Sequence, residues 1–197
     1  MKRFFLLIVL FSGILFSACT NPLAKKAKSG LQVQISNDVP ASVYLDDNYV
    51  EKPPFVNREL SPGEYKLTIK PDDPNLIPYE TDISLKPGLL TVVTWKLAER
   101  PEYSGGVIYE MEAISSKHGS EVSFVTIPDN AIITVAGKEK MFSPVIIPDV
   151  TPGHLEFEVS LPSYGVQKHT INAIPGYRMI ITVKLAKENL NEQTTTN

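Results

Sequence analysis

The residues of this chain whose types do chemistry are His118, His154 and His169, the single cysteine Cys19, and the acidic run Asp72-Asp73-Pro74-Asn75. A histidine becomes a metal ligand or a general base only in company, with a second ligand at a spacing such as His-Glu-x-x-His or with a nucleophile and an acid in reach. His118, His154 and His169 stand far apart with no such spacing, and read as solvated or internally satisfied side chains. The run at 72–75 offers oxygen atoms of the kind calcium takes, yet Asp, Pro and Asn are also the residues that build turns, and a turn is the reading adopted. The chain has no Gly-x-Ser-x-Gly elbow and no phosphate-cradling glycine loop. No catalytic residue, metal or cofactor is expected.

Composition narrows the classes further. With 197 residues, 43% hydrophobic and 21% charged, the chain has the make-up of a globular protein of one large or two small domains. A pI near 5.7 and a net charge of −3 leave no basic face for nucleic acid, which is excluded as a partner. One cysteine permits no intrachain disulfide, so stability must come from packed cores. Sixteen prolines and the scarcity of long apolar helical patterns predict an all-β architecture.

The first residues read as an address. Met1-Lys2-Arg3 is a positive start, Phe4 to Phe16 is an apolar run broken only by Ser12 and Gly13, and Ser17-Ala18 are small. Residues 1–18 therefore read as a secretory signal, short of the roughly 20 apolar residues of a comfortable span. Leu15-Phe16-Ser17-Ala18-Cys19 resembles the lipobox of bacterial lipoproteins, in which the cysteine thiol takes a diacylglycerol before cleavage and the new amino group is usually acylated. Phe16 departs from the family's aliphatic residue at that place, with Leu15 beside it. The resemblance implies that Cys19 is the lipid-attachment residue and the first of the mature chain, and that the bilayer is a partner on the extracytoplasmic side. Acyl chains would hold it there at about 0.8 kcal/mol per buried methylene. A plain secreted protein, or a membrane helix with an incidental thiol, is the alternative. Loss of Lys2 and Arg3 leaves the mature chain more acidic, and 19–30, with Lys25, Lys26 and Lys28, reads as a solvated tether.

Beyond the tether one module is written twice. Pro54 and Pro144 stand about 90 residues apart, as do Pro62-Gly63 and Pro152-Gly153, a period that fits a duplicated domain rather than a solenoid. Ala41-Ser42-Val43-Tyr44-Leu45 aligns with Ala131-Ile132-Ile133-Thr134-Val135, and Pro87-Gly88 with Pro175-Gly176. Tyr65, Leu67 and Ile69 alternate as Leu155, Phe157 and Val159 do, the period of a half-buried strand. The Pro-Gly pairs at 62–63 and 152–153 suit the middle of type II turns. These residues predict two tandem small antiparallel β-sandwiches, at 31–98 and 119–186, with a polar, disordered tail at 187–197.

The copies resemble the PEGA domain, a module of bacterial and archaeal surface proteins named for a Pro-Glu-Gly-Ala motif. Copy two carries it as Pro128-Asp129-Asn130-Ala131 and copy one only as Val39-Pro40-Ala41. The family's downstream Thr-Pro and Pro-Gly elements resemble Ser143-Pro144 with Pro152-Gly153, and Pro53-Pro54 with Pro62-Gly63. The resemblance implies surface association, with envelope polysaccharide or protein as partner, and carries over no binding residue.

Between the copies, 99–118 is charged and glycine-containing. Its Val107-Ile108-Tyr109-Glu110-Met111-Glu112-Ala113-Ile114 alternates as an extra strand would, pairing with the opening strand of copy two across Ser115 to Ser120, and a structureless linker is the other reading. Tyr65, Trp95, Phe157 and Tyr177 fall on core parity; Tyr44 points outward and Tyr79 is less committed, too few to make a binding platform, while Leu90, Val92 and Ile180 fall outward, where they suit an interdomain or partner contact. The function expected is a non-catalytic binding, adhesion or envelope-scaffold module on a membrane. The alternative is an enzyme, or enzyme accessory, with a site assembled between the copies around His118, His154 or His169.

Overall fold

A computed structural model describes residues 27–188; Cys19, the signal segment 1–18, most of the tether and the tail from 189 onward lie outside the described residues. The described chain is all-β, without an α-helix and with a single 3₁₀ turn, Pro101–Tyr103. Its strands are β1 Ser29–Ile35, β2 Ala41–Leu45, β3 Asn48–Glu51, β4 Phe55–Leu60, β5 Gly63–Pro71, β6 Tyr79–Leu85 and β7 Leu90–Lys96 in copy one. After β8 Gly105–Ala113 come β9 Ser120–Ile127, β10 Ile132–Val135, β11 Met141–Phe142, β12 Val145–Val150, β13 Gly153–Ser160, β14 Gln167–Ala173 and β15 Tyr177–Lys184. Period-two sequences become strands with one face in and one out: Val93 and Trp95 of β7, and Phe157 and Val159 of β13, are buried between half-exposed neighbours.

Fourteen of these strands are the repeat, β1 to β7 matched by β9 to β15, and β8 has no counterpart. Each copy contributes a four-stranded sheet, β3-β2-β5-β6 or β11-β10-β13-β14. The remaining strands form one seven-stranded sheet in the order β12-β9-β15-β8-β7-β1-β4. The predicted antiparallel pairing holds throughout the small sheets. The large sheet departs from it once per copy, where the first and last strands, β1 with β7 and β9 with β15, lie parallel. Parallel neighbours need a long crossover, and here the whole small sheet supplies it.

The segment predicted as a linker with a possible extra strand is the centre of the molecule. β8 pairs antiparallel with β7 on one side and β15 on the other. It does not pair with β9, the opening strand of copy two, because both sides of β9 are taken by β12 and β15. The connection after β8 is instead bonded to the Pro175-Gly176 turn, with Ile114 N–H donating to Gly176 O and Gly176 N–H to Gly119 O. Two further boundaries move. Ser29 and Gly30, assigned to the tether, belong to β1, bonded to Lys86 O and Leu89 O. Lys187 and Glu188, assigned to the tail, donate to Glu102 O and Ser163 O.

Since β7 and β15 both run antiparallel to β8 and the strand order mirrors about it, the copies are related by rotation about an axis along β8. Such a rotation turns the sheet over, so the two small sheets cover opposite faces. β8 records this residue by residue: Val107 lies in the core of copy two and its neighbour Ile108 in the core of copy one. One core holds Leu31, Val43, Leu67, Ile69 and Trp95, the other Val122, Ile133, Phe157 and Ile181.

Turn chemistry also sorts differently from the sequence reading. Gly88 and Gly176 have positive φ, 75° and 83°, with Leu89 N–H donating to Lys86 O and Tyr177 N–H to Ile174 O, the geometry of type II turns. Gly63 is not in that region, and the Pro62-Gly63 corner is held instead by Tyr65 Oη donating to Ser61 O.

Candidate binding cleft

The chemistry-bearing residues are dispersed. His118 is exposed in the connection after β8 and His154 is exposed on β13. His169, on β14, is partly buried, stacked on Phe157 with ring centroids 5.2 Å apart and meeting the edge of Tyr109 at 6.1 Å. Its Nε2 lies 3.1 Å from Gln167 Oε1, and burial, which disfavours the charged ring, holds its pKa below the ordinary histidine value. Asp73 accepts from the backbone and side-chain amides of Asn75, both at 2.9 Å, as the turn reading requires, and Asp72 pairs with Lys52. No group of three metal-ligating side chains converges among the described residues.

A cleft of about 510 Å³ opens where the copies meet. Its floor is β8 at Gly105 to Val107, one wall is the outward face of β7 with Thr94 and Lys96, and the other is the start of β14 with Val166, Gln167 and His169. The cleft follows from the layering. In copy two the small sheet covers β12, β9, β15 and β8, with His169 of β14 above Tyr109 of β8. No strand of the described residues occupies the next position, above β7. Gln167 Nε2 donates to Lys184 O at 3.0 Å, fixing the wall to β15. Tyr109 has its hydroxyl pKa pushed up to about 12 by burial, so it is neutral.

On the opposite face the equivalent position is blocked. Ser84 of β6 turns its backbone away from β5; its N–H donates to Glu110 Oε1 of β8 at 2.6 Å, and its C=O accepts from Thr91 Oγ1 at 3.0 Å. Burial raises the Glu110 pKa, offset in part by this bond from Ser84. Lys184 of β15 closes the same side. Its ammonium lies 5.9 Å from the centre of the Trp95 ring and donates to the carbonyls of Pro101 and Ser104, tying the 3₁₀ turn down. Desolvation lowers the pKa of Lys184, against an opposing pull from Glu102.

No family model and no curated protein matches the sequence. Among solved structures, a similarity is found to the Bacillus anthracis TIE protein, at 13% identity and a TM-score of 0.28. It covers 82% of this chain and 34% of that one. The chain thus spans about a third of that protein's length.

Of the residues singled out in the sequence, the structure brings only His169 to the cleft. Trp95 and Phe157 are in the cores, Tyr65 and Tyr177 are partly buried, and Tyr79 stacks on Trp95 at 3.4 Å. Leu90, Val92 and Ile180 are half-exposed on outward faces. Sequence reasoning missed Glu110, Gln167 and Lys184.

Proposed function

We propose that this chain is a non-catalytic binding module, built of two PEGA-like copies and held on the extracytoplasmic side of a membrane through an acylated Cys19. The observation that carries the binding part is the cleft beside β8. Its one histidine is bonded to the amide oxygen of Gln167, and no acid or nucleophile stands within hydrogen-bond reach of the ring among the described residues, so the partners of general-base catalysis are not assembled around it. What its walls present is a set of hydroxyl, amide and ammonium groups around a small apolar floor, which is recognition chemistry. The anchoring part rests on the lipobox-like Leu15 to Cys19 and on a polar tether that joins the fold at Ser29.

Mass spectrometry of the N-terminus of the protein produced with its own leader tests the anchor. The expected mature chain begins at a diacylglyceryl-modified Cys19, and Cys19→Ala moves the protein out of the membrane fraction or leaves the leader uncleaved. An unmodified chain beginning at another residue overturns this reading.

A further inference from the structure

We infer that the open edge of β14 is a strand-addition site that takes an extended polypeptide segment bearing acidic side chains, laid in the cleft above β7. This deepens the reading of the chain as a binding module and rests on it.

The two copies provide the comparison that points to this site. β5–β6 and β13–β14 share one register, with Glu64 opposite Ser84 and His154 opposite Asn172. In the first pair the Ser84 N–H and C=O face away from the sheet and are satisfied by Glu110 and Thr91. In the second, Asn172 and, by antiparallel alternation, Thr170 and Lys168 turn their backbone groups to the same open side. The residue matching Thr91 is Met179, which has no hydroxyl to donate, and the β8 side chains facing this copy are Tyr109 and Met111 rather than a carboxylate. No hydrogen bond is formed by these outward groups among the described residues. One edge of the duplicated module is therefore capped at Ser84 by side chains of β7 and β8, and the other is left along its length as a ladder without a partner among the described residues, the template that strand addition uses.

The space matches a strand. A fifth strand beside β14 lies about 4.8 Å further on, in the position above β7 that the cleft occupies. One face of its side chains meets Val107 and Val166, and the other points to solvent. Charge selects the occupant: Lys96 and Lys187 line the cleft against the single carboxylate of Glu188, whereas the β6 edge carries Glu80 and Asp82. An acidic segment is attracted to the first edge and repelled by the second.

The test uses the full chain in detergent, so that failure of the lipid anchor does not affect it. The probe is a fluorescent peptide of about eight residues alternating valine and glutamate, a length typical of strands. Expected are a saturable rise in anisotropy and slowed hydrogen exchange in 167–173. A valine–lysine probe, or a backbone N-methylated copy of the first, should bind at least about tenfold more weakly, and Lys96→Glu should weaken the first probe about tenfold, near 1.4 kcal/mol. Thr170→Pro removes an outward N–H without a ladder bond and should abolish binding. If that variant loses its β circular dichroism, Thr94→Trp, which fills the cleft from the other wall, serves in its place. Equal binding of the N-methylated probe, no protection of 167–173 at the solubility limit, or protection of 79–85 instead overturns the inference. So does displacement by polygalacturonate without strand protection, which makes the cleft a glycan site. A gain of about tenfold or more on ending the chain at Glu188 overturns it too, by assigning the cleft to the chain's own C-terminal segment.

Discussion

The two outward faces of the seven-stranded sheet have diverged further than the two cores behind them. Position for position, Leu31, Val33, Leu67 and Ile69 in one core are answered by Val122, Phe124, Phe157 and Val159 in the other. On the outward faces, Gln34 of β1 and Ser36 just after it are answered by Val125 and Ile127 of β9, the last two 37% and 49% exposed. Core positions are constrained by shape on every side, so a duplicated module keeps them apolar, while uncovered positions are free to take on separate tasks. The difference teaches that whatever distinguishes the copies functionally lies outside the sandwiches, on the surfaces and edges beside β8.

The junction itself gives the largest expected effect. A side chain at Gly106 would overlap the carbonyl oxygen of Thr94 and come within 2.7 Å of the Trp95 ring. Gly106→Val should separate β7 from β8 and cost at least about 3 kcal/mol, read as a lower urea midpoint. If the loss is confined to one copy, two unfolding transitions will appear in place of one.

Next in size is the guard on β6. Glu110→Ala leaves the Ser84 N–H without its acceptor and should cost about 1 kcal/mol. The same residue sets a pH dependence opposite to that of His169, on the other side of β8. Burial raises the Glu110 pKa, so the folded state holds the proton more tightly, and this contribution is full below the ordinary value of 4.5 and lost as pH rises through the raised one. Burial lowers the His169 pKa, so its contribution is full above 6.5 and lost as pH falls toward the lowered value. Thermal melts across this range should show Glu110→Gln removing the first slope alone and His169→Gln the second alone. A single variant flattening both would show that the two faces titrate as one unit.

The smallest effect belongs to Arg178, on the outward face of copy two, which bridges Glu112 at 2.7 Å and Glu121 at 2.6 Å across three strands. Arg178→Ala should lower the melting temperature slightly at low salt and less at high salt, as screened surface pairs do. A salt-independent loss would mean that the pair sets strand register.

Much of the fold was legible in the chain. Alternation located the strands around Leu67, Phe157 and Trp95, and paired Pro-Gly steps located equivalent corners, since both depend on local geometry. β8 was legible as a strand from the alternation over 107–114, but its position was not, because alternation does not say which core each face of a strand meets. Its Val107 and Ile108 look alike in sequence and belong to different halves. Its neighbours, β7 and β15, are distant in the chain, and pairing across such separations leaves no local trace. The cleft was illegible for the same reason, being defined by the strand position that the β8 junction leaves uncovered.

The placement of β1 also has a mechanical meaning. It is an inner strand, gripped by β4 on one side and β7 on the other over much of its length, and the chain enters it at Ser29. Tension drawn through a tether at that point acts along the strand while its bonds run across it, so they bear the load together in shear rather than opening one by one like a zipper. A module hung from its N-terminus in this way would keep its shape while a partner pulled on it.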